Sequence, residues 1–127
     1  MDTALGIDFG NTRIGLALGK NGTCTPLTII QGKNWDTALF DIKKIIDKNY
    51  ISLVVLGITK QNNLTIKKFH GFLKENLNTK IELWDESFTS KEALEYAIKM
   101  GYSKKSRKYI DNISACVILE RYFESNL

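Results

Sequence analysis

The stretch ISLVVLGI, residues 51–58, limits the possible folds of this chain more than any other segment. It is a continuous apolar run rich in β-branched residues, which is typical of a strand buried on both faces of a parallel sheet. On either side of it, at residues 34–50 and 63–77, apolar residues recur at helical spacing. Because parallel strands are usually joined by such crossover helices, the pattern predicts an α/β protein.

The N-terminal part of the chain predicts antiparallel strands in the same sheet. The turns GNT and NGT separate short strands, as in a meander. Residues 3–10 alternate and contain the first strand, and further strands are placed at 13–19 and 24–30. A fifth strand is predicted at 80–84, and further helices at 88–101 and 110–124. The order predicts a mixed five-stranded sheet, three antiparallel strands extended by parallel ones, flanked by helices. We expect one domain, spanning residues 1–127.

The charge of the chain permits a polyanionic partner without requiring one, since 18 Lys and Arg against 14 Asp and Glu give a net charge of +4. The N-terminus predicts a strand rather than a signal peptide, and no apolar run is long enough to cross a bilayer. Cys24 and Cys116 form no CxxC motif and no metal-binding spacing. We therefore expect a cytoplasmic protein with no membrane partner, whose two thiols are free and buried as small apolar groups.

Three acidic residues stand at the ends of predicted elements. Asp8 ends the first strand, Glu86 follows the fifth strand, and Asp111 begins the last helix. In a mixed sheet the first and fifth strands can be close, and a helix crossing the sheet can bring Asp111 beside them. Carboxylates in one cleft repel one another unless a cation such as Mg²⁺ or Mn²⁺ neutralises them. Each acid also has an alternative, structural role: Asp8 as a turn residue, Glu86 as a solvated loop acid and Asp111 as an N-cap. Asp85 is a second candidate for the metal ligand assigned to Glu86.

The segments GIDFGNTRIGLALG, PLTII, WDESFTS and IDNISACVILERYF occur in the order and spacing of the YqgF (RuvX) family, which the chain resembles over nearly its whole length. Members of this family are bacterial proteins with a ribonuclease H-like fold, assigned to Holliday junction resolution and to pre-16S rRNA cleavage. The resemblance implies a ribonuclease H-like nuclease that uses Mg²⁺ or Mn²⁺ and acts on structured nucleic acid. It favours the 5′ end of precursor 16S rRNA as substrate in ribosome biogenesis, with branched DNA second.

The resemblance also implies that Asp8, Glu86 and Asp111 are the catalytic acids and the metal ligands. The chain departs from the family pattern at two places near them. Ser87 stands where the family has an arginine, and a serine cannot supply the charge of a guanidinium to a phosphate. Thr59 stands where the family has a proline in the loop after the buried strand. These departures concern the positioning of substrate more than the metal site.

Arg13 is the main candidate for substrate binding, because it belongs to the family motif and lies close to Asp8 across a turn. Its alternative role is an ion pair that pins the first hairpin. The family motif also suggests that Gly10 permits a sharp turn, and that Gly6 and Gly15 leave room for a close neighbour, a metal or a nucleic-acid backbone. A basic connector just before Asp111 contains Lys104, Lys105, Arg107 and Lys108. We expect these residues to contact the phosphates that flank the scissile bond. The alternative is a solvated loop with ordinary basic residues.

Two other functions remain open from the sequence. The motif GIDFGNT also resembles the first phosphate loop of actin-like ATPases and sugar kinases, although those proteins close two similar domains on ATP and this chain has one. The departures at Ser87 and Thr59 leave open a non-catalytic module that binds RNA or a ribosome-assembly partner. The three acids argue against that module, and the oligomeric state is left undetermined.

Overall fold

The computed structural model describes residues 3–58, 63–85, 98–99 and 111–125. Its strands are β1 (Thr3–Asp8), β2 (Arg13–Lys20), β3 (Thr23–Gln31), β4 (Ile51–Ile58) and β5 (Lys80–Asp85). Its helices are α1 (Trp35–Asn49), α2 (Asn63–Asn76) and α3 (Asp111–Ser125). Ile98 and Lys99 are also helical, within the helix predicted at 88–101, whose other residues lie outside the described part of the chain.

The five strands form one mixed sheet in the order β3-β2-β1-β4-β5. β2 pairs antiparallel with both β1 and β3, whereas β4 pairs parallel with both β1 and β5. The predicted mixed sheet flanked by helices is therefore confirmed, with β1 at its centre. β4 separates β1 from β5, so the first and fifth strands are two strand spacings apart, about 10 Å.

The sheet carries a hydrophobic core on each face. β4 contributes to both, since Val54 and Leu56 belong to one core and Val55 to the other, as the buried run 51–58 predicted. The core under α1 and α2 is the larger, and its fully buried side chains include Leu5, Ile7, Ile14, Leu16, Ile42, Ile66, Phe69 and Leu73. The core under α3 contains Ala4, Ala17, Cys24, Ala115, Cys116, Ile118, Leu119 and Tyr122.

Helix α1 has a defined start and end. The Asn34 side chain caps its N-terminus by accepting a hydrogen bond from the Thr37 backbone N–H at 3.1 Å. At its C-terminus Tyr50 adopts a left-handed conformation with φ of 53°, and its backbone N–H donates to the carbonyl of Ile46. Both ends of the helix are therefore hydrogen-bonded, which fixes the connections to β3 and β4.

Cys24 on β3 and Cys116 on α3 are both buried and form no disulfide, so the prediction of buried thiols is confirmed. A hydrogen bond with the Cys116 thiol, together with burial, raises the pKa of Cys24. In the described parts of the chain, no helix is long and apolar enough to span a membrane.

Candidate active site

Asp8 is the last residue of the central strand, and its side chain is half-buried. Its register partners are Gly15 on β2 and Gly57 on β4. Both register partners of Asp8 therefore lack a side chain. Asp8 alternates with the buried residue Ala4 and with Gly6, which contacts α3, so it lies on the α3 face of the sheet.

Phe9 anchors the chain directly after Asp8. Its ring lies in the core on the opposite face, stacked on Phe69 with centroids 4.5 Å apart. It also meets Trp35 edge to face at 6.1 Å. Because aromatic burial and ring contacts of this kind hold a side chain firmly, Phe9 fixes the end of β1 and with it the position of Asp8.

Two glycines near Asp8, Gly6 and Gly57, make room for helix α3 rather than for a ligand, and a β-carbon on Gly57 would overlap the Ile118 side chain. A β-carbon on Gly6 would lie 2.6 Å from Cγ of Leu119 and 2.7 Å from the carbonyl oxygen of Ala115. The close neighbour of Gly6 is therefore helix α3, not the metal or nucleic-acid backbone that the motif suggested. A β-carbon on Gly10 would lie 2.5 Å from the carbonyl oxygen of Arg13, which agrees with the predicted sharp turn.

The packing of α3 on the sheet sets the direction of that helix. Ala115 contacts Gly6, whereas Phe123, two turns later, contacts Gly19 of β2, whose register partner Ala4 lies near the start of β1. The helix therefore runs antiparallel to β1, with its N-terminus at the edge where β1 ends. Asp111 precedes Ala115 by four residues, about 6 Å along the helix, and Asp8 follows Gly6 by two residues, about 7 Å along the strand. The start of α3 thus lies towards the end of β1 that carries Asp8.

Strand β5 ends at the same edge of the sheet. Trp84 pairs with Gly57, which in turn pairs with Asp8, so these three residues share one level. β5 extends one residue further, to Asp85, opposite Ile58. Glu86 comes next in the sequence and lies outside the described residues, as do the predicted phosphate contacts Lys104, Lys105, Arg107 and Lys108.

Arg13 begins β2 at this edge, with an exposed side chain. It stands two residues before Gly15, the register partner of Asp8, and therefore on the same face of the sheet as Asp8. A cationic side chain on the face that carries the carboxylate is suited to holding a phosphate close to it.

Among the described side chains, no group of three His, Cys, Asp or Glu lies close enough together to hold a metal ion. Of the three predicted ligands, the side chain of Asp8 alone is described. Its carboxylate is a hard oxygen donor of the kind that Mg²⁺ and Mn²⁺ prefer, at the edge of the sheet where β1 ends. This part of the site fits a divalent cation, and Glu86 and Asp111 stay predicted ligands.

A polar pair that sequence reasoning missed links β5 to α3. The Tyr122 hydroxyl donates a hydrogen bond to Glu82, and Lys80 lies 3.0 Å from the other oxygen of that carboxylate. These partners, Tyr122 first, lower the pKa of Glu82, while burial and then Glu82 raise the pKa of Tyr122 to about 12. One feature of the sequence could have indicated this pair. Glu82 is two residues from Trp84 on β5 and so lies on the same face, and Trp84 packs against the core under α3. This hydrogen bond links α3 to β5, the edge strand of the sheet.

The family model described as "RuvX: Holliday junction resolvase" matches residues 2–125. A relative from Clostridium acetobutylicum, named "Putative pre-16S rRNA nuclease", is 34% identical over 131 residues, covering 95% of this chain and 97% of its own length.

The fold is similar to that of two solved resolvases. Fowlpox virus resolvase in complex with Holliday junction DNA gives a TM-score of 0.64 at 19% identity, covering 98% of this chain and 99% of its own. T. thermophilus RuvC in complex with a Holliday junction substrate gives a TM-score of 0.65 at 14% identity, covering 99% and 96%. The expected ribonuclease H-like fold is thereby confirmed.

Proposed function

Because this chain belongs to the RuvX family of nucleases, we propose that it hydrolyses phosphodiester bonds at the 5′ end of precursor 16S rRNA with the help of a divalent cation. The observation that carries the proposal is the position of Asp8. Its carboxylate ends the central strand between Gly15 and Gly57, on the face of the sheet that α3 covers. An acid so placed is held by a rigid sheet.

Asp8, Glu86 and Asp111 are the residues that would hold Mg²⁺ or Mn²⁺. When bound, such cations supply an activated water and stabilise the leaving oxygen of a phosphodiester. The rigid end of β1, fixed by Phe9, keeps the Asp8 carboxylate in one position while substrate binds. The start of α3 at the same edge supports the assignment of Asp111, and the end of β5 supports that of Glu86.

Arg13 would position the substrate by contacting a phosphate near the scissile bond, because it lies exposed on the face that carries Asp8. The basic connector, Lys104, Lys105, Arg107 and Lys108, precedes α3 in the sequence and would add phosphate contacts on the side of Asp111. These cations would offset the repulsion between the acidic site and a polyanionic substrate.

We favour precursor rRNA as the substrate because of the names of relatives about one-third identical to this chain. The Clostridium acetobutylicum relative, for example, is named a putative pre-16S rRNA nuclease. A four-way DNA junction is the second candidate. It is favoured by the family description and by the fold shared with two resolvases solved on junction DNA.

The proposal is tested by incubating the protein with end-labelled precursor 16S rRNA and, separately, with a four-way DNA junction, each with Mg²⁺, Mn²⁺ or EDTA. We expect cleavage near the mature 5′ end of the RNA with either cation and none with EDTA. If the protein cleaved the junction and not the RNA, its substrate would be branched DNA. Tight binding without cleavage of either substrate would contradict the nuclease and favour a binding module.

A further inference from the structure

The turn between β3 and α1 lies against the turn that follows Asp8. The backbone N–H of Gly32 donates a hydrogen bond of 2.9 Å to the carbonyl of Thr12. Gly32 is buried there, and a β-carbon on it would overlap the carbonyl oxygen of Gly10. The next residue, Lys33, is exposed. A lysine is thus carried to the edge of the sheet where β1 ends, two strand spacings or about 10 Å from β1.

Hydrogen bonds within this turn fix the backbone on which Lys33 stands. The Gln31 side chain donates to the carbonyl of Asn34 at 2.9 Å and accepts from the backbone N–H of Asn34 at 2.8 Å. Asn34 in turn caps α1 through Thr37. Because the residues on both sides of Lys33 are hydrogen-bonded, the place of its backbone relative to Asp8 is set by the fold.

The position of Lys33 does not benefit helix α1. The N-terminus of a helix carries partial positive charge, which favours anions and disfavours a nearby cation. The first turn of α1 contains Asp36, as this rule predicts, whereas Lys33 directly precedes the cap. A lysine there does not strengthen the helix, but it adds to the positive potential that the helix end offers to an anion.

We propose that Lys33 contacts a backbone phosphate of the bound nucleic acid and extends the substrate-binding surface from Asp8 across Arg13 to the end of β3. Arg13 stands between them, since it pairs with Gln31. This inference rests on the proposed nuclease function. It assigns to the substrate a residue outside the segments that carry the family motif.

The test measures binding of the whole protein to a precursor 16S rRNA fragment in EDTA, as a function of salt, for wild type, Lys33→Ala and Lys48→Ala. Lys48 is the matched control, because it is exposed at the opposite end of α1, about 20 Å away. For Lys33→Ala we expect binding weakened roughly 3–10-fold and a salt slope smaller by about 1. Lys48→Ala should match wild type in both, and Lys33→Arg should retain binding.

A melting curve of each variant separates this role from a structural one, since Lys33→Ala should not lower Tm. Equal binding by Lys33→Ala and wild type, or equal losses for Lys33→Ala and Lys48→Ala, would overturn the inference and leave the nuclease proposal standing. Failure of the wild-type protein to bind or cleave RNA or a DNA junction would overturn both.

Discussion

Helix α3 approaches β1 so closely that the carbonyl oxygen of Ala115 lies 2.7 Å from the point where a β-carbon on Gly6 would stand. This contact between the backbones of a helix and a strand is possible because Gly6 has no side chain. Asp8 lies two residues beyond Gly6 and Asp111 one helical turn before Ala115. The contact therefore determines how near the start of α3 comes to the end of β1.

Replacing Gly6 by alanine should destabilise the fold and displace α3. The new methyl group meets a backbone carbonyl, which cannot rotate away, so we expect a loss of about 1–3 kcal/mol in the free energy of unfolding. Cleavage by the folded variant should also fall, since the start of α3 moves relative to Asp8. Denaturant titration and nuclease assays on the same preparation measure both effects.

Gly71→Ala is the matched control for that substitution. Gly71 lies within α2, and a β-carbon there meets no atom within 4 Å. Alanine should therefore raise the free energy of unfolding by about 0.5–1 kcal/mol through its better helix propensity, with no change in cleavage. Equal stability of Gly6→Ala and wild type would show that α3 packs more loosely than the contact with Ala115 requires.

Tyr122→Phe should lower stability at neutral pH by on the order of 1 kcal/mol. The lost hydrogen bond is to a charged group, and the partial exposure of Glu82 reduces its value. Because the fold lowers the pKa of Glu82, its ionised form contributes stability above the ordinary pKa of 4.5, and this contribution disappears as the pH falls through the lowered pKa.

Urea titrations of wild type and Tyr122→Phe across the acid range should thus converge at low pH. Above pH 10, the extra stability of wild type over Tyr122→Phe should be lost as the pH passes the raised pKa of Tyr122, about 12. Tyr50→Phe serves as the control, since Tyr50 is 89% exposed and should show no such difference. If the difference in free energy of unfolding between wild type and Tyr122→Phe stayed constant from neutral to acidic pH, the stabilising partner of Tyr122 would not be the Glu82 carboxylate.

The two cysteines should resist thiol reagents in the folded protein. Both are buried, and the raised pKa of Cys24 leaves little thiolate to react. We expect reaction slower than in the unfolded chain by a factor on the order of 100 or more, since it must await opening of the structure. An Ellman titration with and without guanidinium measures this, and one rapidly reacting thiol in the native protein would refute it.

The sequence pattern predicted the sheet well because each element has a clear hydrophobic period. Residues 51–58 could be recognised as a doubly buried strand, and the turns GNT and NGT marked the meander. The alternation of TALGIDFG continues to Gly10, but β1 ends at Asp8, as predicted, because Phe9 turns into the core and Gly10 packs against the carbonyl of Arg13.

The surroundings of Asp8 could be predicted only in part. Its place at the end of a strand follows from local pattern, whereas its level with Trp84 depends on β4 lying between β1 and β5. The pairing of Glu82 with Tyr122 joins residues 40 apart in the sequence, which no local pattern reveals. The purpose of Gly6 became clear only from the docking of α3. Tertiary packing decides each of these features.

The most direct test of the proposed active site compares Asp8→Asn with Asp47→Asn in the divalent-dependent cleavage assay. Asp47 is an exposed acid near the C-terminal end of α1, at the opposite edge from Asp8. Asp8→Asn should keep the fold and bind nucleic acid but lose cleavage by more than the roughly 10–100-fold typical of residues that only support a metal ligand. Asp47→Asn should cleave like wild type. Cleavage by folded Asp8→Asn at the wild-type rate would contradict the assignment of Asp8 to the reaction centre.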